Sequence, residues 1–162
     1  TTKNKKVGII ATEATVRSKA YENLLKLNDD NIEVFSKPCP LFVPLVEEGW
    51  TYNEVSMLTA EKYLKEFLDL GVDSLVLGCT HYPLLKQCIG ETVGEEIKLV
   101  DPARATAQKV KAYLVDNDMI RVDKEKPVRE FYLSDVTNKF EKICEKALKA
   151  IYHPKEIDIE KF

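Results

Sequence analysis

Short apolar strand patterns alternate along this chain with longer helix patterns. Proline inside the apolar run 41–46 argues against a further central strand there. Strands separated by helices pair in parallel, because the helix carries the chain back to the same edge of the sheet. The sequence therefore predicts an α/β fold with a parallel, doubly wound sheet covered by helices on both faces. Strands are predicted at 7–11, 32–35, 72–77, 97–100 and 129–133, and helices at 17–27, 53–70, 83–89, 102–115 and 136–151.

The charge pattern and the length of the apolar runs exclude some partners. Lys and Arg number 24 against 27 Asp and Glu, and the two signs are interspersed, so we expect no nucleic-acid partner. No apolar run approaches the roughly 18 to 20 residues that span a bilayer, so we expect a cytoplasmic protein without a membrane partner. The four cysteines form no CxxC pair, which indicates free thiols and no metal site.

Polar residues follow three of the predicted strands. Thr12 to Thr15 follow the first strand, Gly78 to His81 follow the strand at 72–77, and Asp101 follows the strand at 97–100. In open parallel sheets ligands bind outside the carboxyl ends of the strands, where the loops converge. These three segments are therefore the candidates for a binding or catalytic site.

Cys79 stands between a strand and a helix whose first turn is marked by Pro83. A helix N-terminus favours thiolate over thiol, although a cysteine is more often a small buried hydrophobe. His81, two residues on, could exchange a proton near the thiol. Such a thiolate could act as a nucleophile in acyl transfer or as a base toward a carbon acid, and composition does not separate the two. No cofactor fingerprint is present, so we expect chemistry without a cofactor.

Four segments in order along the chain resemble the glutamate racemases of the cofactor-independent aspartate/glutamate racemase family. They read VGIIATEATVRSKAY at 7–21, CPLFVPLVEEG at 39–49, LVLGCTHYPLL at 75–85 and LVDPARATA at 99–107. The resemblance implies interconversion of L- and D-glutamate, with D-glutamate supplied for peptidoglycan. It also implies that two cysteines act on opposite faces of the α-carbon, one removing a proton and the other returning one.

The resemblance assigns a role to each of six residues. Cys79 matches one of the two catalytic cysteines, His81 the histidine that assists it, and Glu47 the glutamate paired with that histidine. The hydroxyl and amide groups of Thr12, Thr15 and Thr80 match positions that bind the substrate. Without the resemblance Glu47 is an ordinary surface acid, and Thr15 suits the N-cap of the helix that follows it.

The resemblance also implies an incomplete site. The family's DSGxGG segment and the CNTA-type segment with the first catalytic cysteine are absent, and neither Cys39, Cys88 nor Cys144 stands in such a motif. We therefore expect the carboxyl-terminal part of such an enzyme, with 4–100 as a complete second domain and 101–162 as the returning portion of the first. The chain alone should show no racemase turnover, and it should pair with the missing segment or with a second copy as a homodimer.

Other functions stay open from the sequence. A cysteine acyl transferase or hydrolase would use Cys79 as nucleophile and His81 as base. A relative that racemises aspartate or a similar amino acid would share the same motifs. A non-catalytic module that binds amino acids would keep the fold without the chemistry.

Overall fold

Four parallel strands form the main sheet in the order β2-β1-β3-β4. They are β1 (Lys6–Ala11), β2 (Glu33–Pro38), β3 (Ser74–Gly78) and β4 (Lys98–Val100). This computed structural model describes residues 2–123, 125–136, 138–150 and 152–161, with only the backbone of 138 and 139. The predicted α/β class with a parallel sheet is confirmed.

Helices cover both faces of the sheet, because successive residues of each buried strand point to opposite sides. Ile9 and Val76 face α1 (Glu13–Ser18) and α2 (Ala20–Asn28), where they pack with Val16 and Leu25. Ile10, Leu75 and Leu77 face the other cluster, to which α3 (Phe42–Glu47), α4 (Glu54–Leu70), the 3-10 turn Tyr82–Leu85 and α5 (Lys86–Val93) contribute.

The helix predicted at 17–27 is wrong as one continuous element. Lys19 has φ 53°, in the left-handed region, and divides the segment into α1 and α2. The Ser18 hydroxyl supports the break by donating to the Thr15 carbonyl at 2.7 Å and accepting from the Ala20 amide at 3.3 Å. Leu24 and Leu27 of this segment are exposed.

α4 matches the helix predicted at 53–70 to within one residue, and its caps explain both ends. Asn53 and Ser56 form a capping box at the start, and Gly71 ends the helix with φ 66°. The run 41–46, in which Pro44 argued against a strand, is the helix α3. The helix predicted at 83–89 begins instead as the 3-10 turn Tyr82–Leu85, with Pro83 in its first positions, and continues as α5.

The chain divides into two compact units, Thr1–Ala105 and Thr106–Phe162. The helix α6 (Pro102–Asp116) begins in the first unit and continues in the second. None of the helices in the described part of the chain is long and apolar enough to cross a membrane.

Beyond α6, the described part of the second unit contains a helix, a short strand pair and the 3-10 turn Ile159–Lys161. The strand predicted at 129–133 is reduced to β5 (Tyr132–Leu133), which pairs in parallel with β6 (Lys155–Glu156), a strand that was not predicted. The helix predicted at 136–151 is α7 (Asn138–Leu148), and Thr137 and Ile151 of that prediction lie outside the described residues.

Candidate active site

The carboxyl edge of the main sheet brings two of the predicted segments together, Thr12 to Thr15 and Gly78 to His81. Ala11 at the end of β1 lies opposite Pro38 of β2 on one side and Gly78 of β3 on the other. Thr12 and Cys79 therefore leave neighbouring strands at the same level. The Cys39 amide donates to the Ala11 carbonyl at 2.9 Å, so the ladder continues one residue past β2.

Cys79 is the one cysteine of the four that solvent reaches. Its side chain is partly exposed at the end of β3, whereas Cys39, Cys88 and Cys144 are buried, and all four are free thiols. Burial raises the pKa of the Cys39 thiol to about 12 and also raises the pKa values of Cys88 and Cys144. A thiolate is therefore disfavoured at the three buried positions.

His81 and Glu47 lie beside each other at this edge. The distance from His81 Nε2 to Glu47 Oε1 is 3.9 Å, which allows electrostatic attraction without a hydrogen bond. The other ring nitrogen, Nδ1, lies 3.4 Å from the Thr80 hydroxyl. Oxygen atoms thus face both nitrogens of the imidazole and limit its orientation. The side chains of His81 and Glu47 are 28% and 38% exposed, so both are open to a ligand.

Packing between α3 and the 3-10 turn brings these two residues together. Glu47 is the last residue of α3, and His81 directly precedes the 3-10 turn. The two elements are in contact, and the rings of Phe42 and Tyr82 meet edge to face with centroids 5.3 Å apart. This contact joins segments far apart in the sequence and positions the carboxylate near the imidazole.

The hydroxyls of Thr12 and Thr15 form a pair after β1. Their oxygen atoms lie 3.0 Å apart, and both side chains are partly exposed. The expectation that Thr15 caps the next helix is wrong, because Thr12 is the N-cap of α1 and accepts from the Thr15 amide at 3.4 Å. Thr80 is exposed and contacts His81.

Gly78 allows β3 to approach β1 closely just before Cys79. A Cβ atom at this position would lie 3.0 Å from the Ile10 carbonyl oxygen, 3.1 Å from the Ala11 Cβ and 3.3 Å from a ring carbon of Tyr21. The close approach is thus to the chain's own backbone.

Asp101, the third candidate segment, accepts a hydrogen bond from the Ala103 amide at 2.9 Å at the start of α6.

Two tyrosines near the edge were missed by the sequence reasoning. Tyr21 packs on Gly78, and Tyr82 is fully buried with its hydroxyl bonded to the Cys39 carbonyl at 2.9 Å. Tyr82 stands between His81 and Pro83, where the sequence reads as the start of a helix. A buried phenol needs a hydrogen-bond partner, but the pattern does not identify a partner in a distant loop.

Comparison with known proteins identifies several similar enzymes. A glutamate racemase from Geobacter metallireducens is 52% identical over 135 residues, which cover 83% of this chain and 50% of that protein. A glutamate racemase from Thermoanaerobacter sp. is 45% identical over 160 residues, covering 98% of this chain and 60% of that protein. The chain therefore spans half to three fifths of the length of these relatives, and the comparisons do not confirm that it is their carboxyl-terminal part.

Solved structures and a family model agree with these relatives. The structure of glutamate racemase from Francisella tularensis in complex with D-glutamate matches with a TM-score of 0.90 at 33% identity, over 98% of this chain and 59% of that one. Glutamate racemase isoform RacE1 from Bacillus anthracis matches with a TM-score of 0.85 at 28% identity, over 98% of this chain and 59% of that one. The model of the Asp/Glu/Hydantoin racemase family matches residues 1–110. The chain belongs to the Asp/Glu/Hydantoin racemase family, as its four sequence segments predicted.

Proposed function

We propose that this chain contributes one of two proton-transferring thiols, that of Cys79, to the cofactor-independent interconversion of L- and D-glutamate. The observation that carries the proposal is the 3.9 Å approach of His81 and Glu47 at the strand edge where the accessible thiol emerges. The identity of 52% to a glutamate racemase supports glutamate as the substrate.

The proposed chemistry is proton exchange at a carbon acid. The Cys79 thiolate removes the α-proton, forming an S–H bond, while the C–H electron pair moves into the adjacent carboxylate of glutamate. A second thiol then gives a proton to the opposite face of the α-carbon, and the electron pair returns to form the new C–H bond. No electrons are lost or gained, so the reaction requires no oxidant or reductant.

His81 and Glu47 support this step electrostatically. A protonated imidazole near a cysteine stabilises the thiolate, which is the form that acts as base. The Glu47 carboxylate beside the imidazole limits its orientation. We assign His81 as the partner of Cys79 and Glu47 as the residue that holds His81.

Three threonines are proposed to bind the substrate. Glutamate presents two carboxylates and an ammonium group, and a hydroxyl can donate to the first and accept from the second. Thr12 and Thr15 form a hydroxyl pair on the strand next to Cys79, and Thr80 directly follows it. The D-glutamate complex of the Francisella tularensis enzyme, a structural relative, supports an amino-acid ligand at this fold.

The second thiol is proposed to come from outside this chain. Cys39, Cys88 and Cys144 are buried, so none of them is placed to protonate a substrate. We propose that residues 4–100 form one α/β domain and that residues 101–162 are a portion of another domain. The described second unit supports this division, since its two-stranded pair is too small to be stable as a sheet by itself. A partner segment or a second copy would complete the site.

Hydrogen exchange in deuterated water tests the proposal. The chain is incubated in D2O with L-glutamate or L-aspartate, and loss of the α-proton signal is followed by NMR together with the intact mass of the protein. We expect faster loss from glutamate than from aspartate and an unchanged protein mass. A stable acyl adduct on Cys79 would instead indicate a transferase or hydrolase, and faster loss from aspartate would indicate an aspartate racemase. Glutamate binding without any exchange would indicate a binding module.

A further inference from the structure

Tyr82 joins two strand-end loops that are not neighbours in the sheet. Its amide donates to the Cys79 carbonyl at 3.2 Å, so its backbone belongs to the turn after β3. Its hydroxyl donates to the Cys39 carbonyl at 2.9 Å, in the loop after β2. Since β1 lies between β2 and β3, the tyrosine side chain connects the loops on either side of the central strand.

The Tyr82 hydroxyl is fixed as a neutral donor. Its side chain is fully buried, and burial raises the pKa of the phenol, as do the nearby Cys39 and Cys79 thiols. The hydroxyl therefore keeps its proton in the folded protein. A buried donor with an acceptor at 2.9 Å holds the two groups in one arrangement.

The acceptor of this bond lies in the turn just before α3. The Cys39 carbonyl also accepts from the Phe42 amide at 3.2 Å, and the Phe42 ring packs edge to face on Tyr82. The helix has only six residues and carries Glu47 at its far end. The placement of Glu47 therefore depends on how the start of α3 is held against Tyr82.

Glu47 and His81 depend on such support because no hydrogen bond joins them directly. At 3.9 Å their attraction is electrostatic and weakens as the separation grows. Tyr82 is next to His81 in the chain and contacts the helix that ends at Glu47. We propose that Tyr82 is a positioning residue, which sets the spacing of His81 and Glu47 and so supports the Cys79 thiolate; its role in proton transfer rests on the function proposed above.

The four cysteines provide a test that needs no substrate. The full chain is treated with iodoacetamide under native conditions at pH 7 and pH 9.5, and the alkylation rate at each cysteine is measured by mass spectrometry. The rate ratio is the alkylation rate of Cys79 at pH 7 divided by its rate at pH 9.5. It reports how far the thiolate is stabilised near neutral pH, and it cancels differences in accessibility between variants. The buried thiols of Cys39, Cys88 and Cys144 report whether the fold is intact.

We expect Tyr82→Phe to lower the rate ratio at Cys79 by about three- to tenfold. This is the effect expected when a hydrogen bond to a charged group weakens. The other three cysteines should stay protected from alkylation. Tyr52→Phe is the matched control, because it removes a phenol hydroxyl that donates to Glu91 on α5 at 2.7 Å. It should leave the ratio unchanged. Glu47→Gln should lower the ratio, and adding Tyr82→Phe to it should lower the ratio little further, because both residues act through His81.

An unchanged ratio in Tyr82→Phe would overturn the proposal. Alkylation of all four cysteines in that variant would also overturn it, because the hydroxyl would then hold the whole unit together and not the spacing of the pair. If the effects of Glu47→Gln and Tyr82→Phe on the rate ratio add in full in the double variant, Tyr82 does not act through Glu47. A lowered ratio without hydrogen exchange from glutamate would leave this inference standing and contradict the proposed function.

Discussion

At the residue scale, burial separates one partly exposed thiol from three buried ones. The four cysteines share the same chemistry, but only Cys79 stands at a strand end open to solvent. The sequence by itself pointed to Cys79 and His81 as candidates, because glycine, cysteine and histidine follow a buried strand. It identified Glu47 only through the family resemblance, since the contact between α3 and the 3-10 turn arises from tertiary packing.

Gly78 gives a prediction at the same scale. A methyl group at this position would approach backbone and side-chain atoms of β1 to 3.0 and 3.1 Å, so β3 would have to move away from β1. We expect Gly78→Ala to lower the free energy of unfolding by about 1–3 kcal/mol, the usual cost of overpacking. Urea denaturation followed by circular dichroism measures this change.

Gly90 supplies the matched control. It lies inside α5, and a methyl group there would meet only Leu99 Cδ1, at an ordinary 3.6 Å. Gly90→Ala should raise the free energy of unfolding by about 0.5–1 kcal/mol, because alanine favours the helix. Equal effects of the two substitutions would show that the close approach at Gly78 is not what limits that position.

At the scale of elements, local signals predicted most helices and strands, while their junctions depended on longer-range contacts. Asn53 and Gly71 mark the ends of α4 in the sequence itself. The break at Lys19 carries no glycine or proline, and the left-handed conformation of a lysine is not visible in the pattern. The strand order β2-β1-β3-β4 likewise follows from packing and not from any one segment.

The start of β3 is attached to the N-terminal segment through Asp73. This carboxylate accepts from the Lys3 amide at 2.6 Å, the Asn4 amide at 2.8 Å and the Ser74 hydroxyl at 2.9 Å. Burial acts to raise the pKa of Asp73, but these hydrogen bonds together with one from Thr2 hold it well below the usual value. The charged carboxylate therefore stabilises the folded state.

We predict that Asp73→Asn lowers the free energy of unfolding at pH 7 and that this loss shrinks in acid. A carboxylate whose pKa is lower in the folded state contributes its full stability above the unfolded value, about 3.9, and loses it as the pH falls toward the folded value. Urea titrations between pH 7 and pH 2 measure the difference from the wild type. Asp69→Asn, an exposed change on α4, should show little effect at any pH, and a loss at Asp73 that is constant with pH would contradict this account.

At the scale of the whole molecule, the first unit carries the four-stranded sheet, while the described part of the second contains helical segments and a short strand pair. The sequence predicted the α/β class, but it overestimated the strand at 129–133, where β5 is only two residues long. It did not predict β6, because Lys155 and Glu156 are polar and follow a proline. Polar strand pairs of this length are fixed by their surroundings more than by their own sequence.

The stereochemistry of α-hydrogen exchange tests the central claim most directly, namely that Cys79 transfers a proton at the α-carbon from one face only. In D2O, a single thiol that exchanges with solvent should return deuterium to the face from which it took the proton, so that the label enters L-glutamate much faster than D-glutamate forms. Chiral chromatography with mass detection measures both products, and Cys79→Ser should abolish the labelling. Labelling that persists in Cys79→Ser would contradict the claim for the thiol. Formation of D-glutamate at the same rate as deuterium enters glutamate would contradict the claim for a single face.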